Sequence, residues 1–150
     1  MKHGLAVEVG CQLGRSSSVL AQLSRAIGFR TVHIDPYTDQ TEWLQAWVKM
    51  MYELAGTFCL LCMRTEQARP YLAEFSLVDL AFIDGDHQQH AVEVDLHLVA
   101  EAVRKGGLLV AHDYASESEG PGVRAAIDPF VAEGWEYLGT TVTMGVWRRK

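Results

Sequence analysis

Basic residues are in deficit in this chain: 13 Lys and Arg stand against 19 Asp and Glu, for a net charge of −6. A balance of that sign provides no electrostatic footprint for nucleic acid or an anionic membrane. The one basic cluster, Arg148-Arg149-Lys150, reads as the solvated end of a strand, since three charges make a weak anchor. Long hydrophobic runs are missing as well. Nothing approaches the roughly 20 apolar residues that span a bilayer. The first apolar stretch, Leu5 to Val9, is short and carries Glu8, unlike a secretory leader. Cysteine is sparse, and the 3 present cannot all pair within one chain. Cys59 and Cys62 spell C-x-x-C, but Phe58 to Cys62 reads as a strand, on which positions three apart face opposite ways. No redox or zinc role is expected there, and a reducing, cytoplasmic compartment is the simplest expectation.

What is present is globular in character. Hydrophobic residues make up 49% of the chain and charged residues 21%, and the length suits one domain with a real core. Short apolar runs alternate with helical stripes from end to end, which predicts an α/β fold with a parallel sheet and crossover helices. The expected strands are Leu5–Val9, Thr31–Asp35, Phe58–Cys62, Val78–Asp84 and Gly107–Asp113. Between them fall three apolar stripes at helical spacing. They are Val19, Leu20, Leu23 and Ile27 with Gly28 as the stop; Leu44, Trp47, Val48, Met51 and Leu54 or Ala55; and Val92, Leu96, Val99 and Val103. After Asp113 comes a polar loop, Tyr114 to Gly122, then a helix near Val123–Ala132. Two closing β-like runs, Trp135–Gly139 and Thr141–Arg148, predict an antiparallel hairpin on the sheet edge.

In open α/β sheets ligands bind beyond the carboxyl ends of the strands, where the strand order reverses. The residues just after each strand are therefore the ones that carry chemistry. After the first strand stand Gly10, Gly14, Arg15, Ser16 and Ser17: glycines let the backbone approach a ligand, and either serine suits a helix cap. This G-x-x-x-G lacks the third glycine of a dinucleotide fingerprint, which counts against a nicotinamide-dependent oxidoreductase. Asp35, ending the second strand, is placed to accept ribose hydroxyls. Together the two strand ends point to a nucleoside-containing cofactor. The fourth strand ends in Asp84-Gly85-Asp86-His87 and the fifth in His112-Asp113. Oxygen ligands with an imidazole suit Mg²⁺, Mn²⁺ or a harder transition ion. The plainer alternatives are that Asp86 caps a helix and His112 is a hydrogen-bonded residue at the sheet end.

With these motifs in view the chain resembles class I S-adenosylmethionine-dependent methyltransferases. The likeness is to the branch that carries E-[IV]-G-x-x-x-G-R-S and I-D-G-D-H, here Glu8-Val9-Gly10 through Ser16 and Ile83 through His87. It continues through Asp95, Gly106-Gly107 and His112-Asp113. The resemblance implies a doubly wound, Rossmann-like, mostly parallel seven-stranded sheet whose last strand is antiparallel. It implies that Glu8, Gly10 and Gly14, with Ser16 of the same motif, frame the methionine part of S-adenosylmethionine. Asp35 would hold the ribose, Glu66 would lie near the adenine, and Asp84 would border the cofactor. Metal-dependent sugar and catechol O-methyltransferases, which the chain also resembles, place a divalent ion at positions matching Asp84, His112 and Asp113. Their general base matches Asp86, with His87 as a competing candidate. Histidine stands at 112 where such relatives commonly carry a carboxylate.

The function this implies is methyl transfer to a small hydroxylated acceptor, assisted by Mg²⁺ or Mn²⁺. The alternative is a methyltransferase-like module that binds the cofactor without catalysis. Relatives of this kind often carry helices ahead of the first strand, so here the cover of the site is expected to be small, mobile or supplied by another subunit. A homodimer is therefore expected, with Trp43, Trp47 and Trp147 as anchors either of its interface or of the core. Acceptor choice is expected to reside in Pro36–Glu53 and Tyr114–Gly122.

Overall fold

A computed structural model describes residues 4–37, 40–54, 57–74 and 77–150 of the chain. Seven strands form one sheet: β1 (Leu5–Val9), β2 (Arg30–Ile34), β3 (Thr57–Leu61), β4 (Val78–Ile83), β5 (Val103–Ala111), β6 (Trp135–Thr141) and β7 (Met144–Arg149). Their spatial order is β3-β2-β1-β4-β5-β7-β6. The first five run parallel, and β7 enters antiparallel between β5 and β6. The expected doubly wound, Rossmann-like sheet with an antiparallel last strand is thus the observed one. Strand order reverses between β1 and β4, which places the ligand crevice at their carboxyl ends.

Helices α1 (Arg15–Ile27) and α2 (Thr41–Leu54) pack together, and α3 (Thr65–Leu72), α4 (Gln89–Leu98) and α5 (Gly120–Val131) form a second group. Val92 and Leu96 of α4 and Val123 and Ile127 of α5 close over Ala81, Ile83, Leu109 and Trp147 of the sheet, all buried. A smaller core gathers Trp47 and Met51 of α2 with Ala21 of α1 and Phe58 of β3. Trp47 and Trp147 are therefore core residues; only Trp43 of the three is partly exposed.

Several expected boundaries shift, each for a physical reason. Strands β2, β3, β4 and β5 stop one or two residues early, leaving Asp35, Cys62, Asp84 and Asp113 beyond the sheet. Val103 opens β5 instead of closing a helix, because a single turn of 3₁₀ helix at Ala100–Ala102 ends the helical path first. On α1 the buried face is Ser17, Leu20, Ala21 and Ser24, while Val19 and Ile27 are each 63% exposed. Gly28 does stop α1, in the left-handed conformation. Neither Ser16 nor Ser17 caps it; Gly14 holds that position. Helix α5 starts at Gly120, so Gly120 to Gly122 belong to the helix and not to the preceding loop. Ala55 of the expected second stripe lies outside the described residues.

The turn of the β6–β7 hairpin carries Val142 at φ 55, a left-handed conformation that a β-branched residue adopts only under strain. The side chain is 89% exposed and has no packing to lose. Val142→Asn should therefore stabilise the fold by about 0.5–1 kcal/mol, read as a raised midpoint in urea with an unchanged slope.

Candidate active site

Four site-bearing residues sit one position past a strand, each fixed there by one more ladder hydrogen bond. The N–H groups of Gly10, Asp35, Asp84 and His112 donate to the carbonyls of Ile34, Leu61, Val9 and Ile83, at 2.9, 3.2, 2.8 and 2.9 Å. At Gly10 the backbone has φ 82, and a Cβ there would lie 2.0 Å from the Asp84 carbonyl oxygen. Only glycine lets the β1 loop pass so close to the end of β4. Gly14 is likewise left-handed, packed against Met50 and Trp47 of α2.

These strand ends open on a cleft of about 1130 Å³. Gly10, Ser16, Asp35, Glu66, Asp84, Asp86, His87, His112 and Asp113 all line it, so most of the residues picked from the sequence converge. Glu8 does not. It is fully buried beneath the loop, where Ser17 Oγ donates to its Oε2 at 2.6 Å and His33 Nδ1 lies 2.5 Å from the same oxygen. Gly14 shapes the loop without lining the cleft.

Asp35 organises the glycine loop directly. Its Oδ2 accepts from the N–H groups of Cys11 and Gln12 at 2.8 and 3.0 Å, and its Oδ1 accepts from Tyr37 N–H at 2.8 Å. Tyr37 returns the contact, its hydroxyl donating to the Gln12 carbonyl at 2.9 Å. Burial pushes the Tyr37 hydroxyl well above its ordinary range, so it remains a proton donor.

On the other side of the cleft, His112 Nδ1 lies 2.8 Å from Asp113 Oδ2 and 3.2 Å from Asp84 Oδ1. One donor atom from each of the three residues falls within 4.8 Å of the other two. Burial, followed by the nearby Asp113 charge, pushes Asp84 up to about 6 against the attraction of His112 and His87. His87 Nε2 stands 3.1 Å from Asp113 Oδ2 without the alignment of a hydrogen bond, and its Nδ1 is 3.4 Å from Glu119 Oε2. The loop that carries Glu119 is tied down by Arg124, which donates to the carbonyls of Tyr114 and Ser116 at 2.8 and 3.3 Å. Asp86 is exposed, and its Oδ1 accepts from Gln88 N–H at 2.8 Å, a turn that leads into α4.

Two groups escaped the reading of residue roles. Asp95 of α4 lines the cleft at 5% exposure, and the hint was a carboxylate between Val92 and Leu96 on an otherwise apolar stripe. His33 gave no hint, because its partner Glu8 is 25 positions away.

A family model described as "Methyltransferase domain" matches residues 7–114. This chain belongs to that methyltransferase family. The match runs from β1 through Asp113 and so takes in both halves of the cleft. The TDP-rhamnose 3′-O-methyltransferase of calicheamicin biosynthesis superposes with a TM-score of 0.78 at 16% identity, over 98% of this chain and 72% of that one. An O-methyltransferase from Bacillus cereus, solved with S-adenosylhomocysteine, gives 0.72 at 14% identity, over 97% and 74% of the two chains. At such identities these likenesses show the shared fold. Uncharacterized protein R132 of Acanthamoeba polyphaga mimivirus is 41% identical over 56 residues, 37% of this chain. The chain spans about a quarter of that relative, 25% of its length.

In this methyltransferase domain burial pushes Asp95 up to about 6, against the lowering contact from Thr65 and with Glu66 and Asp86 adding repulsion. A carboxyl raised in the folded state favours folding when protonated. Its contribution is complete below about pH 4, the unfolded value, and is lost as pH rises through about 6. Asp95→Asn should remove about 2–3 kcal/mol of this acid-side gain. Urea unfolding at pH 4.5 and 7.5 should show the wild type losing ground to the variant at the higher pH; a constant difference would refute the assignment.

Proposed function

We propose that the domain transfers a methyl group from S-adenosylmethionine to the hydroxyl of a small acceptor, with a divalent ion held by Asp84, His112 and Asp113. The observation that carries this reading is the convergence of those three donors on the cleft that the glycine loop borders. The donor set fits a hard or borderline ion: two carboxylates, one imidazole and a partly buried Asp84 whose charge needs a counter-charge. Such an ion would lower the pKa of a hydroxyl beside it.

The chain's own residues supply the rest. Methyl transfer from a sulfonium is an in-line displacement, so positioning provides much of the rate. The glycine loop, fixed by Asp35, and Glu66 at the start of α3 border the donor side. The acceptor's proton needs a base within reach. Asp86 is the more accessible candidate, since His87 stands between Asp113 and Glu119. The free thiols of Cys11, Cys59 and Cys62 agree with a cytoplasmic setting, and among the described residues no helix is long and apolar enough to cross a membrane.

A second copy of the chain is the proposed cover. Leu80, Phe82, Leu108, Val110 and Val146 alternate with buried residues and stay half-exposed on the sheet face opposite α4 and α5. Such an apolar face favours association.

Activity toward hydroxylated acceptors should vanish with chelator and return with Mg²⁺ or Mn²⁺. Asp84→Asn should abolish Mn²⁺ binding, followed by electron paramagnetic resonance, while S-adenosylhomocysteine still binds. Asp35→Ala should weaken S-adenosylmethionine by about 1–3 kcal/mol, the range for a charge-assisted hydrogen bond, and calorimetry showing full affinity would remove Asp35 from the site. Sedimentation at tens of micromolar, on the order of the Kd range of a stable dimer, tests the second copy; monomer alone would exclude it.

A further inference from the structure

Among the described residues, Asp95 is the one carboxyl that lines the cleft and is also buried, at 5% exposure. It sits where α4 meets the start of α3 and the loop that follows β4. Thr65, the first residue of α3 and itself buried, gives it its one side-chain hydrogen bond among the described residues. A Cβ at Gly85 would lie 3.1 Å from Asp95 Oδ2, so the loop passes close against that oxygen. The charged groups that face it, Glu66 of α3 and Asp86 of the loop, are both acids. An ionised carboxylate has about four acceptor sites, and burying one with few donors against it is costly. Such a position favours a guest that brings an N–H or O–H, and the space it borders is the cleft.

The surroundings narrow the kind of guest. Ala91 and Val94 of the same helix line the cleft with Asp95. An apolar wall with one carboxyl and one hydroxyl in it suits a flat heterocycle with a polar edge. Strand order gives the direction. The candidate methyl-transfer end stands past β4 and β5, Asp35 stands past β2, and α3 follows β3, the next strand out. A nucleoside whose sulfur faces the first and whose ribose reaches Asp35 extends its base toward the start of α3. Asp95 faces that place from α4.

We propose that Asp95 determines which purine the cleft accepts: its carboxylate takes a hydrogen bond from the exocyclic amine of adenine and rejects a base with a carbonyl oxygen at that edge. A carboxylate only accepts. Adenine offers a donor, its amino group, where hypoxanthine and guanine set an oxygen. Two acceptors facing each other repel, and in a buried place neither can turn to water. A pocket built around a hydrogen bond discriminates most strongly against the analogue that cannot make it, because its own polar group is then left without a partner. Thr65 holds the carboxyl from the α3 side, and the close approach of Gly85 holds it from the other. The carboxyl is thereby fixed in place before any guest arrives.

The proposal rests on the reading that S-adenosylmethionine occupies this cleft, and one experiment separates the two. Calorimetry on the full chain would compare S-adenosylhomocysteine with S-inosylhomocysteine, in which the amine is replaced by oxygen. Wild type, Asp95→Asn and Asp95→Leu would be measured at pH 7.5, with thermal unfolding as the check on folding. That pH lies above the value of about 6 to which burial raises Asp95, so the carboxylate is the form tested. Wild type should prefer the adenine ligand by about tenfold or more, the range for a hydrogen bond to a charged group. The preference should disappear in Asp95→Leu and shrink in Asp95→Asn, whose amide can turn either its oxygen or its N–H₂ to the base. Equal weakening of both ligands, as a structural carboxyl or a contact to the amino-acid part would give, overturns the proposal. So does a wild type without preference. Should Asp95→Leu fail to fold, Asp95→Asn decides, and an unchanged preference there is a refutation. Wild type that binds neither ligand would overturn the cofactor reading, and the inference with it.

Discussion

Parallel strands hydrogen-bond on a slant, so the ladder does not end where a strand ends. One further N–H reaches back to a neighbour's last carbonyl, and in this chain that N–H belongs in turn to Gly10, Asp35, Asp84 and His112. These four positions of the candidate site are thus fixed by the sheet and not by the loops that follow. With backbone and Cα placed this way, short side chains are enough to converge. Asp and His at 84, 112 and 113 meet within a few ångströms without a long arm among them. Arginine or glutamate at the same places would overshoot.

That dependence explains which parts of the molecule were legible in the sequence. Strand positions could be read because parallel strands with apolar residues on both faces appear as near-continuous apolar runs, and the acidic residues punctuating those runs fell within two residues of the observed ends. The start of β5 could not. Val103 lies four positions after Val99, a spacing that satisfies a helical stripe as well as a strand, and the expected strand began only at Gly107. In the structure both glycines lie within β5, with Gly106 at φ 79 near the point where the β4–β5 register shifts. Hydrophobic pattern misjudged α1 for a related reason. The face it buries carries Ser17 and Ser24, whose hydroxyls are satisfied by Glu8 and by the Phe29 carbonyl at 2.6 and 2.5 Å. Buried polar residues of this kind are invisible to periodicity, because the partner that makes them tolerable lies elsewhere in the chain.

Asp35, singled out as a ribose acceptor, is in this structure occupied with the glycine loop. An ionised carboxylate has about four acceptor sites, and in this structure Cys11, Gln12 and Tyr37 N–H groups use three of them. A ribose diol that takes both oxygens must therefore share them with, or displace, the loop amides. Loop geometry and the proposed ribose binding would in this way be one equilibrium. Gly10 and Gly14 give that equilibrium its freedom, and Tyr37 limits it by fastening the Gln12 carbonyl from the other side.

Charge selects what such a cleft will hold. Its lining carries the carboxyls of Asp35, Glu66, Asp84, Asp86, Asp95 and Asp113 against the guanidiniums of Arg15 and Arg64. Glu8, paired with His33, lies beneath the floor. Clustered carboxylates with low-dielectric walls concentrate cations, and burial first, with neighbouring carboxylates adding to it, raises Asp84 and Asp95. In the proposed reaction a sulfonium and a divalent ion would be the cationic guests such a lining suits. The sulfonium is the one that disappears on turnover.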